Sequence, residues 1–129
     1  MVIDDNEMDL YIAKRVMDRY SFTEEVIIMD SAKDALNYLA EKQNDLSALP
    51  DLILLDINMP GMNGFEFLDA YTHLPEKIKR NCIIMMLTTS THTEDRQKAS
   101  NNPYVRSYLN KPLDKDKLEE LTDILKDKP

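Results

Sequence analysis

Residues 52–64 read LILLDINMPGMNG, four apolar residues followed by an aspartate and a loop that contains both glycines of the 129-residue chain. A chain with two glycines has little reason to place both within nine residues, unless the backbone there turns sharply or approaches another group closely. An apolar run without alternation is typical of a strand that is covered on both faces. We therefore expect a buried strand over Leu52–Leu55 and a loop shaped around Asp56.

On either side of this stretch, short apolar runs alternate with helical patterns. The further strand candidates are Val2–Ile3 and residues 25–29, 82–87 and 104–109. Apolar spacing near 3.6 residues predicts helices in residues 10–17 and 32–39, from Gly64 onwards, within residues 93–100 and over residues 114–125. The alternation predicts an α/β fold in which a parallel sheet of five strands lies between layers of helices, a (βα)5 arrangement.

The composition suits one compact domain over residues 1–129, because 43% of the residues are hydrophobic. The chain has 16 basic and 24 acidic residues, a net charge of −8, which opposes attraction to nucleic acids and anionic lipid surfaces. The longest apolar run, residues 82–87, is far too short to span a membrane. The single cysteine, Cys82, cannot form an internal disulfide. We expect a soluble protein of the reducing cytoplasm, without a direct nucleic-acid or membrane partner.

Polar residues follow several of the predicted strands at their carboxyl ends. In a doubly wound sheet with strand order 2-1-3-4-5, ligands bind where the order reverses, between the first and third strands. That rule brings together Asp4 and Asp5 after the first strand and Asp56 after the third. A cluster of carboxylates repels itself or recruits a counter-ion, and oxygen ligands suit Mg²⁺. The pattern therefore predicts a site for a divalent cation.

Each of these residues also has an ordinary interpretation. Two aspartates after a strand are commonly a turn or the approach to a helix, and Met-Pro-Gly alone is a turn. Thr88, after the fourth strand, could be a capping residue, and Lys111, after the fifth, could be a solvated loop lysine. A site is favoured because these residues follow four different strands at the same edge of the sheet.

Asp4-Asp5, Asp56 with its Met-Pro-Gly-Met-Asn-Gly loop, Thr88 and Lys111-Pro112 together resemble the receiver domain of two-component response regulators, of the single-domain chemotaxis-regulator type. The resemblance covers the entire chain. It implies a flavodoxin-like doubly wound sheet and a phosphoacceptor aspartate, which here is Asp56. It also implies that the phosphoryl group comes from the phosphohistidine of a sensor histidine kinase or of a histidine phosphotransfer protein.

The resemblance assigns metal ligands. Asp5 and Asp56 would bind Mg²⁺ (or Mn²⁺) directly, Asp4 would hold it through water, and Asn58 would contribute its backbone carbonyl. A carboxylate is a weak nucleophile, but it attacks phosphorus competently when a metal and an ammonium neutralise the surrounding oxygens. Lys111 would supply that ammonium.

The resemblance also implies a switch. Lys111 would pair with Asp56 before the reaction and with a phosphoryl oxygen afterwards, and a cis bond before Pro112 would direct it to the site. The Thr88 hydroxyl would bind another phosphoryl oxygen, and Tyr108 would turn inward behind it. Tyr108 could instead be an ordinary half-exposed strand tyrosine. The surface that responds would consist of the fourth predicted helix, the fifth strand and the fifth predicted helix.

Asn58 and Ser90 occupy the positions at which the family tunes the lifetime of the phosphoryl group. The downstream protein target stays unknown, and the oligomeric state is expected to be a monomer or a weak homodimer. We expect no catalytic activity other than the protein's own phosphorylation and dephosphorylation. Residues 72–81, which are basic and longer than a minimal connection, are expected to form a solvated loop or a partner contact.

Two other functions are left open by the sequence. The first is a receiver-like interaction or scaffold domain that works without phosphorylation. The second is a phosphatase with an aspartyl-phosphate intermediate. Such phosphatases carry a second aspartate two residues after the nucleophile as acid and base, where this chain has Asn58.

Overall fold

A computed structural model describes residues 1–127, so the last two residues of the predicted domain lie outside the described part. Its strands are β1 Val2–Ile3, β2 Ile28–Met29, β3 Leu52–Leu55, β4 Ile83–Thr88 and β5 Val105–Asn110. Its α-helices are α1 Glu7–Arg19, α2 Ala32–Glu41, α3 Gly64–Tyr71, α4 Glu76–Asn81, α5 Thr93–Ser100 and α6 Lys115–Lys126. All strand pairs are parallel, in the order β2-β1-β3-β4-β5. The predicted α/β fold, strand order and four of the five strand positions are confirmed, apart from one-residue shifts at strand ends.

The two faces of the sheet bury two separate sets of apolar side chains, because successive residues of a strand point to opposite faces. Ile53 and Leu55 of β3 lie in a cluster that also takes residues from α2, α3 and α4 and Ala99 of α5. Leu52 and Leu54 lie in the other cluster, with residues of α1 and α6. All four β3 side chains are buried, as their uninterrupted apolar run predicts. No helix among the described residues is long and apolar enough to cross a membrane.

Two predictions need correction. The second strand is shorter than residues 25–29, because β2 is an edge strand. Its only neighbour among residues 1–127 is β1, which pairs with Ile28 and Met29 alone. Residues 72–81 are not a solvated loop, because their second half forms α4, which buries Ile78 completely. Pro75 precedes α4, and Lys79 and Arg80 occupy its last turn, where cations are favoured by the helix dipole.

The loop after β3 explains the placement of both glycines. Gly61 has φ +76°, a conformation that side chains with a Cβ rarely adopt. Gly64 begins α3, and a Cβ there would lie 2.4 Å from the backbone oxygen of Asp56. Asn63 and Glu66 form a reciprocal capping box at the same helix start. The predicted sharp turn and close approach are therefore both present, and both fix the backbone next to Asp56.

Candidate acidic site at the carboxyl edge of the sheet

Three carboxylates meet where β1 and β3 end. Oxygen atoms of Asp4, Asp5 and Asp56 all lie within 4.8 Å of one another. Asp4 and Asp56 are 3% and 6% exposed, whereas Asp5 is exposed. The sequence-based expectation that the switch point gathers these three residues is met, because β1 and β3 are hydrogen-bonded neighbours.

Lys111 lies between the carboxylates and carries the local positive charge. Its Nζ lies 2.5 Å from Asp4 Oδ2, 2.7 Å from Asp9 Oδ2 and 3.3 Å from Asp56 Oδ2. Its side chain is 10% exposed. Burial alone would lower the pKa of the ammonium, but the carboxylates of Asp4, Asp9 and Asp56 outweigh it and raise that pKa above its ordinary value. Lys111 is therefore fixed as a cation.

The surroundings of the Asp4 carboxyl disfavour its charged form. Burial and the negative charge of Asp56 raise its pKa, while hydrogen bonds from Lys111 and from the backbone N–H of Asn6 offset part of the increase. Burial is the largest of these causes. The ionised form of Asp4 is thus held in the fold at a cost, which a bound cation would relieve.

Asp9 is the site residue that the sequence interpretation missed. It sits in the first turn of α1, where its backbone N–H donates to the Asn6 side chain at 3.0 Å. A signal was present, because α1 starts three residues after Asp4 and its first turn must therefore border the same edge of the sheet. An aspartate there reads as an ordinary helix-start residue, favoured by the helix dipole, and this hid its contact with Lys111.

Thr88 and Ser90 form a second polar group, at the carboxyl end of β4. Thr88 is completely buried, and its Oγ1 accepts a hydrogen bond from the Ser90 N–H at 3.2 Å. The Ser90 hydroxyl donates to Asp95 Oδ2 at 2.6 Å. Two groups from β5 donate to the Ser90 carbonyl, the Tyr108 hydroxyl and the Asn110 amide, each at 2.9 Å. The β4–α5 loop is thereby tied to β5.

The remaining predicted residues are Asn58, Pro112 and Tyr108. Asn58 is exposed and lines one cleft together with Asp5, Asp56 and Lys111. The Lys111–Pro112 peptide bond is cis, and the Lys111 N–H donates to the Thr88 carbonyl at 2.9 Å. Tyr108 is half-buried, with the Arg96 guanidinium 5.0 Å from its ring centroid. Its hydroxyl is already bonded to the β4–α5 loop.

The donor set suits a hard divalent cation. It consists of carboxylate oxygens without a histidine or thiolate in the cluster, which is the set that Mg²⁺ and Mn²⁺ prefer over softer metals. Asp5 is exposed and gives access from solvent. The clustered negative charge is only partly balanced by Lys111, so the residues present fit a bound cation.

Known proteins resemble this chain in sequence and fold. A family model described as the response regulator receiver domain matches residues 1–123. A receiver protein from Dyadobacter fermentans has a crystal structure that superposes with a TM-score of 0.85 at 31% identity, covering 96% of this chain and 94% of that chain.

Two cyanobacterial proteins are also similar. Response regulator Rcp1 of Synechocystis is 30% identical over 112 residues, 86% of this chain and 74% of Rcp1. Its Mn²⁺-bound structure gives a TM-score of 0.70 at 26% identity, covering 97% and 88% of the two chains. The phosphorylated cyanobacterial phytochrome response regulator RcpA gives 0.71 at 27% identity, with 97% and 86% covered. The chain belongs to the response regulator receiver domain family of two-component systems.

Proposed function

We propose that this receiver accepts a phosphoryl group on Asp56 in a reaction that depends on Mg²⁺ or Mn²⁺. The observation that carries the proposal is the pair of contacts that orient the Asp56 carboxylate. Its Oδ1 accepts a hydrogen bond from the Ile57 N–H at 2.9 Å, and its Oδ2 lies 3.3 Å from the Lys111 ammonium. The carboxylate is thus oriented at the cleft that Asp5 and Asn58 also line.

The chain's own residues would act together in the transfer. An Asp56 carboxylate oxygen attacks phosphorus and forms an acyl phosphate, while the bond from phosphorus to the imidazole nitrogen of a phosphohistidine breaks. The Lys111 ammonium neutralises charge on the phosphoryl oxygens, and the Thr88 hydroxyl donates a hydrogen bond to one of them. A compact, flexible ammonium suits this exchange of partners.

Asp5, Asp56 and the Asn58 backbone carbonyl would hold the metal, with Asp4 acting through water. When bound, the cation supplies positive charge that shields the carboxylates and the transferred phosphoryl oxygens from one another. The proposal is supported by the oxygen-only cluster and by the Mn²⁺-bound structure of the similar protein Rcp1.

The response to phosphorylation would run through Thr88 and Tyr108. The Thr88 oxygen accepts a hydrogen bond from the Ser90 N–H, and its hydroxyl would move to donate to a phosphoryl oxygen, with Tyr108 adjusting behind it. The responding surface is then α5, β5 and α6, because α4 adds one helix to the predicted numbering. Ser90 and Asn58 would set the lifetime of the phosphoryl group.

The partners proposed are a sensor histidine kinase or histidine phosphotransfer protein as donor, and an unidentified protein target. The receiver family interacts with kinases and targets of these kinds in general. The proposal includes a cytoplasmic location, a single domain and a monomer or weak homodimer. It includes no direct nucleic-acid partner and no catalysis beyond the phosphorylation and dephosphorylation of Asp56. A phosphatase is disfavoured because Asn58 cannot serve as a proton donor.

The test is intact mass after incubation with acetyl phosphate, with Mg²⁺ and with chelator, for the wild type and Asp56→Asn. We expect one added phosphoryl group that requires both Mg²⁺ and Asp56. If the folded wild type binds Mg²⁺ but gains no mass, the chain acts without phosphorylation, as a scaffold would. Release of inorganic phosphate from small esters with many turnovers would instead favour the phosphatase.

A further inference from the structure

The contacts of Lys111 are uneven. Its ammonium is closer to Asp4 and to Asp9 than to Asp56, the residue it would assist, at 2.5, 2.7 and 3.3 Å. An ammonium has three N–H donors, and three carboxylates surround this one. Lys111 is therefore fully engaged before any phosphoryl group arrives.

The three carboxylates differ in what else they do. Asp56 is the proposed nucleophile, and Asp4 belongs to the cluster that fits a metal. The Asp9 carboxylate forms no ion pair other than that with Lys111 among residues 1–127. Its position is fixed by the first turn of α1 and by the Asn6 cap.

We propose that Asp9 is a positioning residue that slows phosphorylation of Asp56 by holding the Lys111 ammonium on the α1 side of the cleft. This inference rests on the proposed function and adds a residue that sets its rate. Asp9 competes with the incoming phosphoryl oxygens for the same ammonium, and its negative charge opposes the approach of an anionic donor. The pair is partly shielded from solvent, since the two side chains are 10% and 30% exposed.

The decisive variant is Asp9→Asn, which keeps the shape of the side chain and removes its charge. At saturating Mg²⁺, established for each variant by titration, we expect phosphorylation by acetyl phosphate to become about three- to tenfold faster. The control is Asp18→Asn, which removes the same charge from the same helix. Asp18 is 59% exposed and pairs only with Lys14 among the described residues, so its rate should stay within about twofold of the wild type.

A double-mutant cycle with Lys111→Gln separates positioning from a general effect of charge. If Asp9 acts through Lys111, the acceleration by Asp9→Asn disappears in the Lys111→Gln background, even though that background is slow and must be followed for longer. An acceleration that persists there would overturn the proposal. So would an unchanged or slower rate in the single variant, since slowing would mean that Asp9 directs Lys111 towards the phosphoryl group.

The same four proteins provide a readout that does not need phosphorylation. In urea unfolding without metal, the pairing of Asp9 with Lys111 should appear as a coupling of about fivefold in the unfolding equilibrium constant. If the effects of the two substitutions on the unfolding equilibrium constant are independent of each other, the inference is overturned. Wild type that binds Mg²⁺ but never gains mass would contradict the proposed function, and the unfolding cycle would still decide whether Asp9 holds Lys111.

Discussion

Asp56 and Tyr71 both carry an oxygen that the fold removes from water, and their surroundings differ. Asp56 faces other carboxylates and one ammonium at the edge of the sheet. The Tyr71 ring is completely buried among aromatic neighbours. It stacks on Phe67, with ring centroids 5.9 Å apart, and lies edge-on to Tyr104, with centroids 5.4 Å apart. The hydroxyl group lies beside the Cys82 thiol and makes no well-formed hydrogen bond among the described residues.

The difference concerns what can change in each place. Around Asp56, buried like charges oppose one another, and a cation or a phosphoryl group can relieve that opposition. Around Tyr71, a neutral group is enclosed by apolar contacts, and nothing short of unfolding alters its state. The clustered carboxylates of the cleft therefore lower the stability of the fold and provide a binding site. Variants in the cleft and around Tyr71 should behave differently.

The largest effect is expected for Lys111→Met. It leaves Asp4, Asp9 and Asp56 without their shared cation, and removing one partner of a buried ion pair costs roughly 3–5 kcal/mol in the free energy of unfolding. Urea unfolding should show this loss without metal and a smaller loss with Mg²⁺, which replaces part of the missing charge.

The matched control is Lys79→Met. The Lys79 side chain is only 8% exposed, but its ion-pair partner Glu76 is 69% exposed, at 2.8 Å. That substitution should cost much less than Lys111→Met, with no effect of Mg²⁺. Equal losses in the two variants would show that Lys111 is ordinary packing and not the balance of the acidic cluster.

Gly64→Ala should have the next largest effect, because the new Cβ would collide with the Asp56 backbone oxygen at 2.4 Å. Relief requires a backbone shift, for which we expect a loss of about 2–3 kcal/mol together with slower phosphorylation. Gly61→Ala is the control, since nothing lies within 4 Å of its Cβ position and only the φ of +76° is unfavourable. It should cost about 1 kcal/mol and leave the phosphorylation rate close to that of wild type.

Asp4→Asn is expected to stabilise the metal-free protein. Burial raises the folded-state pKa of Asp4, so the unfolded chain loses this proton first as the pH rises past 3.8. The free energy of unfolding then falls as the pH rises, until the folded-state pKa is passed. The full cost of ionising the buried Asp4 carboxyl is therefore present at neutral pH. The variant should gain about 1 kcal/mol at pH 7, a gain that shrinks towards pH 4 and is accompanied by weaker Mg²⁺ binding. Unfolding without metal at both pH values measures this, and a loss at pH 7 would contradict the assigned cost.

The sequence was sufficient for the features that local chemistry and topology dictate. The apolar run of β3 predicted a buried strand, and the strand-order rule then gathered Asp4, Asp5 and Asp56 at one edge. The two glycines predicted a sharp turn and a close approach in a loop shaped around Asp56, and the conformation of Gly61 and the position of Gly64 provide both.

Features that depend on long-range contact were not predictable. Asp9 and Lys111 are 102 residues apart, and nothing in the first turn of α1 shows which cation its carboxylate will meet. The residues of α4 read as a polar loop because only Ile78 is buried there, and one apolar residue in six gives no periodicity. The length of β2 was set by its neighbour β1 and not by its own composition.

The smallest expected effect sharpens the comparison with Asp56 most directly. Tyr71→Phe removes a buried hydroxyl that makes no well-formed hydrogen bond among the described residues, so at pH 7 stability should change by no more than about 0.5 kcal/mol. Tyr38→Phe, the control, removes a hydroxyl that donates to the Ala48 carbonyl at 2.8 Å, and should cost about 1 kcal/mol.

At alkaline pH the Tyr71→Phe variant should become more stable than wild type. Burial, reinforced by Cys82, raises the pKa of Tyr71 far above its ordinary value of 10.0, so above pH 10 the unfolded chain loses the proton and the folded chain keeps it. The stability of wild type is therefore intact below about pH 10 and decreases as the pH rises further. Unfolding measured from pH 8 to pH 11 should show a smaller decrease for Tyr71→Phe than for wild type. Identical curves would mean that the hydroxyl reaches solvent, and the two buried oxygens would then differ in charge but not in enclosure.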